Sequence, residues 1–326
     1  MNSGKRVRII DMHGPAEKAL LQYCNVCPRQ CGVNRYEGAE GYCGTDAGLN
    51  IASICIHQGE EPAISGFSGI CNVFFGSCNL RCLFCQNHEI SRKDYCYGSR
   101  YSELHDVLDT IENILSRGVR SVGFVSPSHV VPQVITIIKG LRERGLSPVT
   151  VYNTNGYDRK ETLRLLEGYI DVYLPDFKYS YSESASLFSD AADYPQVALD
   201  ALKEMYYQKG SSLVTDDDGV AVNGILVRHL VLPGHVAESC KILETIAGEI
   251  STGLSISLMS QYHPMPAVKG HPSLGRILHP EEYREVAECM ERLGFRNGYL
   301  QDPGSNDNYL PDFSREHPFT PGLSQG

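Results

Sequence analysis

Cys71-Asn72-Val73-Phe74-Phe75-Gly76-Ser77-Cys78-Asn79-Leu80-Arg81-Cys82-Leu83-Phe84-Cys85 joins a short apolar run to three closely spaced cysteines. The run Cys71–Phe75 has the length and composition of a strand buried on both faces. The cysteines follow at its C-terminal end, where parallel sheets and barrels place their chemistry. Their spacing is C-x3-C-x2-C. Three thiolates on one loop can hold three irons of a 4Fe–4S cluster and leave the fourth iron open, and an open position is what catalytic metal sites keep. The competing readings are zinc, which usually takes four ligands in pairs, and buried thiols without metal.

Working outward, short apolar runs recur at Ser121–Val125, Val149–Asn153, Asp171–Leu174, Ile225–Leu232 and Leu254–Met259, each readable as a buried parallel strand. Helical patterns separate them. Ser102–Ser116 carries Leu104, Val107, Leu108, Ile111 and Leu115 on one face. Val130–Arg144 has Pro132 in its first turn, where proline is tolerated. Asp158–Glu167 opens with Asp158 and Glu161 in capping-box spacing. Ser182–Lys209, Ala237–Ile250 and Pro280–Leu293 complete the set. Strand–helix alternation implies right-handed βαβ units and a parallel sheet. Six strands are too few for a closed eight-unit barrel. The expected fold is α/β, a partial (β/α)6 parallel barrel; a doubly wound sheet is the alternative. The expected organisation is a Cys-rich N-terminal metal-binding extension over 1–69, a core over 70–265, and a C-terminal helix with an irregular tail over 266–326.

The chain has 326 residues, enough for a large core, and a net charge of −10, which does not favour nucleic acid or an anionic membrane. No stretch is long and apolar enough to span a bilayer, and residues 1–14 lack the apolar run of a signal peptide; the expectation is a soluble cytoplasmic protein without nucleic-acid or membrane partners. Nine of the 12 cysteines lie between Cys24 and Cys85 in tight spacings. That crowding favours metal over a disulfide framework.

The triplet, with Phe84 before its last cysteine and Gln86-Asn87 after it, resembles the radical S-adenosylmethionine superfamily, and within it the pyruvate formate-lyase activating enzyme branch. The resemblance covers most of residues 70–265. It implies a 4Fe–4S cluster on Cys78, Cys82 and Cys85 whose open iron chelates S-adenosylmethionine. It further implies reductive cleavage to a 5′-deoxyadenosyl radical that abstracts hydrogen. By the same resemblance Phe84 borders the adenine and Asn87 lies beside cluster and cofactor. Asn153-Thr154-Asn155-Gly156 is similar to the family's Asp-Thr-Asn-Gly, and Asp176-Phe177-Lys178 to its Asp-x-Lys. There the two motifs meet at a monovalent cation; here Asn153 removes one charge and puts that cation in doubt. Arg228 is implied to fork onto the cofactor carboxylate, and His263, after Tyr262, to stand near the cofactor as a catalytic residue. Where the family has Gly-Gly-Glu-Pro, this chain reads Val125-Ser126-Pro127-Ser128-His129, so Ser126 and its neighbours would replace that amino-group contact. Each residue also has a plainer reading: Asn153–Gly156 as a turn, Asp176 and Lys178 as a solvated pair, Arg228 as a structural ion-pair partner, and His263 as a core histidine.

Cys24-x2-Cys27-x3-Cys31 with Cys43 forms a second set. It suits zinc or an auxiliary 4Fe–4S cluster, with Gly32 and Gly44 letting backbone amides approach sulfur; reduced thiols without metal are the alternative. Cys55 and Cys71 are spare ligands. Cys96, Cys240 and Cys289 stand alone in the sequence and read as small hydrophobes. The resemblance implies an electron donor such as a flavodoxin or ferredoxin, and a glycyl radical protein as substrate. The rivals are a radical enzyme acting on a small metabolite or peptide, and a non-enzymatic iron–sulfur carrier.

Overall fold

A computed structural model describes residues 12–38, 40–93, 101–302, 310–313, 315 and 318–319. In chain order the elements are α1 (Pro15–Gln22), β1 (Ile51–His57), α2 (Pro62–Ser65), β2 (Ile70–Phe75), α3 (Leu104–Leu115), β3 (Ser121–Val125), α4 (Val131–Glu143), β4 (Val149–Thr154), α5 (Lys160–Arg164) and β5 (Val172–Pro175). They continue with α6 (Ser182–Ser189), α7 (Tyr194–Lys209), β6 (Val214–Thr215), β7 (Ala221–Leu230), α8 (Val236–Glu249), β8 (Ser255–Met259), α9 (Pro280–Arg292) and β9 (Gly298–Leu300).

One sheet runs β1-β2-β3-β4-β5-β7-β8-β9, with β6 paired beside β7. From β2 onward every neighbour on that path is parallel. The order follows the chain without reversal. A doubly wound sheet reverses its strand order at a switch point, so the arrangement is that of an open partial barrel. Its curvature shows in a single cavity lined both by Phe74 of β2 and by Leu300 of β9, from opposite ends of the parallel array. β2, β3 and β5 are buried along their whole length, which is why they read as unbroken apolar runs rather than alternating ones.

The sheet reaches beyond residues 70–265 on both sides. β1 pairs antiparallel with β2, and β9 adds a seventh parallel strand through Ile256–Gly298 and Leu258–Leu300. Residues 12–49 also join the core: Leu21, Cys24, Val26, Ala47 and Leu49 pack in the same apolar cluster as β2–β4 and α4.

Two helix expectations change. The Asp158–Glu161 capping box does not form. The Asp158 carboxylate turns inward and accepts hydrogen bonds from the Tyr152 hydroxyl (2.9 Å) and from Thr154 Oγ1, so α5 starts from Arg159 without a side-chain cap and is short. Ser182–Lys209 is two helices, because Asp190 adopts a left-handed conformation (φ 54°) that stops α6. Cys55 and Cys71 are buried in β1 and β2 as core residues. Cys240 and Cys289 do not stand alone: their side chains meet across α8 and α9. Cys96 lies outside the described residues.

Candidate active site at the strand C-termini

Parallel strands all end on the same side, so the loops after β2, β3, β4, β5, β7 and β8 converge. They enclose a cavity of about 390 Å³, within the range of small-molecule sites. Cys78, Cys82, Phe84, Cys85 and Asn87 line it from the loop after β2. Val125 and Ser126 line it from β3, Asn153–Asn155 from β4, Asp176 and Lys178 from β5, and Arg228 from β7. The sequence motifs separated by up to 150 residues thus meet around one space.

The cysteine loop is held by its neighbours rather than by regular structure. Arg81 N–H donates to Ser189 O (3.1 Å) and Leu83 N–H to Phe188 O (2.9 Å), which docks the loop on the end of α6. Asn155 Nδ2 donates to Asn79 Oδ1 (2.8 Å) and to Cys78 Sγ (3.4 Å). Leu80 N–H also points at Cys78 Sγ (3.4 Å), Ser189 Oγ donates to Cys82 Sγ (3.0 Å), and Ser91 Oγ lies 3.4 Å from Cys85 Sγ. Each sulfur therefore has a donor, which is what metal-bound thiolates use. As free thiols they resist ionisation: burial pushes Cys78 up to about 11 and Cys85 to about 12, with the neighbouring Cys82 sulfur adding to the effect. A bound cationic cluster reverses that balance. Among the described residues no group of three or more His, Cys, Asp or Glu side chains gathers tightly enough for a single metal ion. Three thiolates on one loop, each with a hydrogen-bond partner, form a donor set of the kind an iron–sulfur cluster takes.

Asn153–Gly156 is both a turn and part of the site. Asn155 Oδ1 accepts from Tyr157 N–H (2.9 Å), as an Asx turn does, while its Nδ2 reaches the cysteine loop. Asp176 and Lys178 are not a solvated pair. Lys178 Nζ donates to Asp176 Oδ2 at 2.5 Å with both side chains mostly covered. Burial alone would lower the Lys178 pKa, but Asp176 and the Cys82 sulfur outweigh it and raise it. The Asp176 charge is thereby answered by an ammonium, and Asn153 adds none.

Arg228 has partners the sequence did not suggest. Its Nε donates to Glu61 Oε1 (2.8 Å), and Nη2 contacts both Glu60 and Glu61. The fork implied for a cofactor carboxylate is taken by this acidic pair, from the connection between β1 and β2. Asn72 Nδ2 donates to Glu60 Oε1 (2.9 Å) and His57 Nε2 stands 4.0 Å from it. Burial raises the Glu60 pKa, but Arg228 and His57 more than offset it and hold it at about 2. Two carboxylates face one guanidinium, which leaves one excess negative charge at the cavity. His263 is not among the residues that line the cavity; Gln261 is, bound through its carbonyl to Gln86 Nε2 (3.0 Å). Tyr262 is turned away, its hydroxyl donating to Leu274 O (2.7 Å) and its ring packed on Phe84.

The scan against family models matches none. Among curated proteins, the chain is 27% identical over 293 residues to the uncharacterized protein MJ0674 of Methanocaldococcus jannaschii, covering 87% of this chain and 79% of that protein. It is 26% identical over 159 residues to the uncharacterized protein MJ0808 of the same organism, covering 44% and 46%. Among solved structures it is similar to a domain of pyruvate-formate lyase-activating enzyme from Bacteroides vulgatus, at TM-score 0.38 and 13% identity over 53% of this chain and 93% of that one. It is also similar to Streptococcus suis SuiB bound to precursor peptide SuiA, at TM-score 0.47 and 13% identity over 70% and 48%. No described helix is long and apolar enough to cross a membrane.

Tyr194 is a site residue that sequence reasoning missed. Its hydroxyl faces the carbonyls of Asn155 (2.9 Å) and Asp176 (3.1 Å) and accepts from Lys178 N–H (3.0 Å), tying the ends of β4 and β5 together. Tyr194→Phe leaves these buried groups unpaired and is expected to cost about 1–3 kcal/mol. Urea denaturation measures it, and an unchanged midpoint would mean the groups find other partners.

Proposed function

We propose that this chain is a radical S-adenosylmethionine enzyme with a 4Fe–4S cluster on Cys78, Cys82 and Cys85. The observation that carries the reading is that all three cysteines line one cavity with Asp176, Lys178 and Arg228 at the C-terminal ends of a partial barrel. When bound, such a cluster supplies one electron to S-adenosylmethionine and yields a 5′-deoxyadenosyl radical for hydrogen abstraction. The protein's own part is to hold and shield. Asn155, Ser189 and the Leu80 amide donate to cluster sulfurs, and Lys178 places positive charge beside Cys82. Phe84 and Leu230 give the cavity apolar wall, and the excess carboxylate at Glu60 and Glu61 suits a cationic ligand such as a sulfonium or ammonium.

Hydrogen abstraction from a glycine of a partner protein is the finer reading, supported by the resemblance of residues 70–265 to the activating branch. The test starts from anaerobically reconstituted, reduced protein with S-adenosylmethionine present. 5′-Deoxyadenosine is expected to form, and to vanish in the Cys78→Ala/Cys82→Ala/Cys85→Ala chain. Absence of both product and cofactor binding in cluster-loaded protein would favour an iron–sulfur carrier instead.

A further inference from the structure

A second cysteine set is built around a buried cation. Cys24, Cys27 and Cys43 are buried and Cys31 is half-buried. Cys24 lies within electrostatic range of Cys31 and Cys43, and Cys27 within range of Cys24 and Cys43. Hydrogen bonds between Cys24 N–H and Val33 O and between Gly32 N–H and Cys24 O (both 2.9 Å) fold the segment back on itself. Tyr42 N–H donates to Cys31 Sγ (3.2 Å), which brings the Cys43 segment alongside. Gly32 and Gly44, each following a cysteine, take φ of 67° and 76°, a conformation that costs a side chain.

Arg35 is 1% exposed. Its Nε donates to Thr45 O (3.1 Å), its Nη1 to His129 O (2.8 Å), and its Nη2 to Cys43 Sγ (3.2 Å) and to Thr45 Oγ1. Among the described residues no carboxylate pairs with it. A guanidinium stays charged in a protein, and a buried charge needs an anion. The groups placed to supply one are the cysteine sulfurs.

We propose that Cys24, Cys27, Cys31 and Cys43 hold an iron–sulfur cluster of their own, with Arg35 as its buried counter-ion and hydrogen-bond donor. Four thiolates around a doubly positive 4Fe–4S core leave two negative charges, of which Arg35 answers one. The site abuts the first cysteine loop. Arg81 Nη2 donates to Tyr42 O (2.5 Å), Arg29 Nε donates to Asn79 O (3.0 Å), and the Arg29 and Arg81 guanidinia lie 3.8 and 4.5 Å from the Tyr42 ring.

The inference is independent of the reading of the first site, and the test separates them. The Cys78→Ala/Cys82→Ala/Cys85→Ala chain, reconstituted without oxygen, is expected to retain about four irons and about four sulfides per chain. About one zinc per chain, or no metal, overturns the proposal. Should that chain not fold, iron counted in the unaltered protein decides: about eight per chain supports it, about four overturns it, and Cys43→Ser should remove half of the eight. Arg35→Met is expected to move the reduction potential of this cluster to more negative values, because a cation favours the reduced form, and Arg35→Lys to restore it. A potential unmoved by Arg35→Met overturns the counter-ion role.

Discussion

Arg228→Leu is expected to destabilise the protein by roughly 3–5 kcal/mol, the range for breaking a buried ion pair by removing one partner. Glu60 and Glu61 would be left facing each other inside the cavity with no cation between them. The penalty is one of desolvation, so removing the acids as well should recover most of it. Arg228→Leu/Glu60→Gln/Glu61→Gln is expected to lie within about 1–2 kcal/mol of the parent, since well-packed neutral replacements of buried ion pairs are often tolerated. Chemical denaturation of the three chains measures both steps. A triple variant no better than the single one would mean that Arg228 supports the fold through packing rather than charge.

The same network sets a pH dependence. The folded Glu60 pKa is depressed, to about 2 from an ordinary 4.5. A depressed carboxylate contributes stability that is complete above its unfolded pKa and is lost as pH falls through the folded one. The parent should therefore lose this contribution between pH 4.5 and about 2. In Arg228→Leu burial instead favours the protonated form of Glu60, so the gap between parent and variant should narrow on acidification. A gap constant from pH 7 to pH 3 would show that Glu60 does not titrate as the partner of Arg228.

What the sequence disclosed follows from how local each signal is. β2, β3, β4, β5, β7 and β8 stood out because strands covered on both faces are continuous apolar runs, and their observed limits differ from the expected ones by a few residues at most. β1 escaped notice: it is an antiparallel edge strand with a bulge near Ile51, inside a cysteine-rich stretch with little periodicity. β9, three residues long, is too short to carry a pattern. In the site, the cysteine triplet was legible because its ligands share one loop. Arg228 was legible as a residue but not in its bonding, since Glu60 and Glu61 are 168 and 167 residues away in sequence. A Glu-Glu pair shortly after an apolar run, with Gln58-Gly59 between, was the available signal. His263 shows the converse: the motif position is adjacent to the cavity, but the chain presents Gln261 to it.

Gly156→Ala should combine two penalties at the point where fold and site meet. Gly156 has φ of +78°, and an added Cβ would fall 2.2 Å from Asp176 O and 2.8 Å from the Tyr194 hydroxyl. The left-handed conformation costs a non-glycine residue roughly 1–2 kcal/mol, and forcing backbone apart in a packed interior costs about 1–3 kcal/mol more. Gly145→Ala is the matched control. Gly145 has φ of +75° with nothing within 4 Å of an added Cβ, so it carries the conformational penalty alone. Gly156→Ala is expected to unfold at lower temperature than Gly145→Ala by several degrees, measured by thermal scanning of the two purified chains. The displaced Asp176 backbone also carries the carboxylate that pairs with Lys178 beside Cys82. At a temperature where both variants are folded, Gly156→Ala should then form 5′-deoxyadenosine more slowly than Gly145→Ala. Equal rates would mean that the Asp176–Lys178 pair tolerates the shift and that the close approach at Gly156 serves the fold alone.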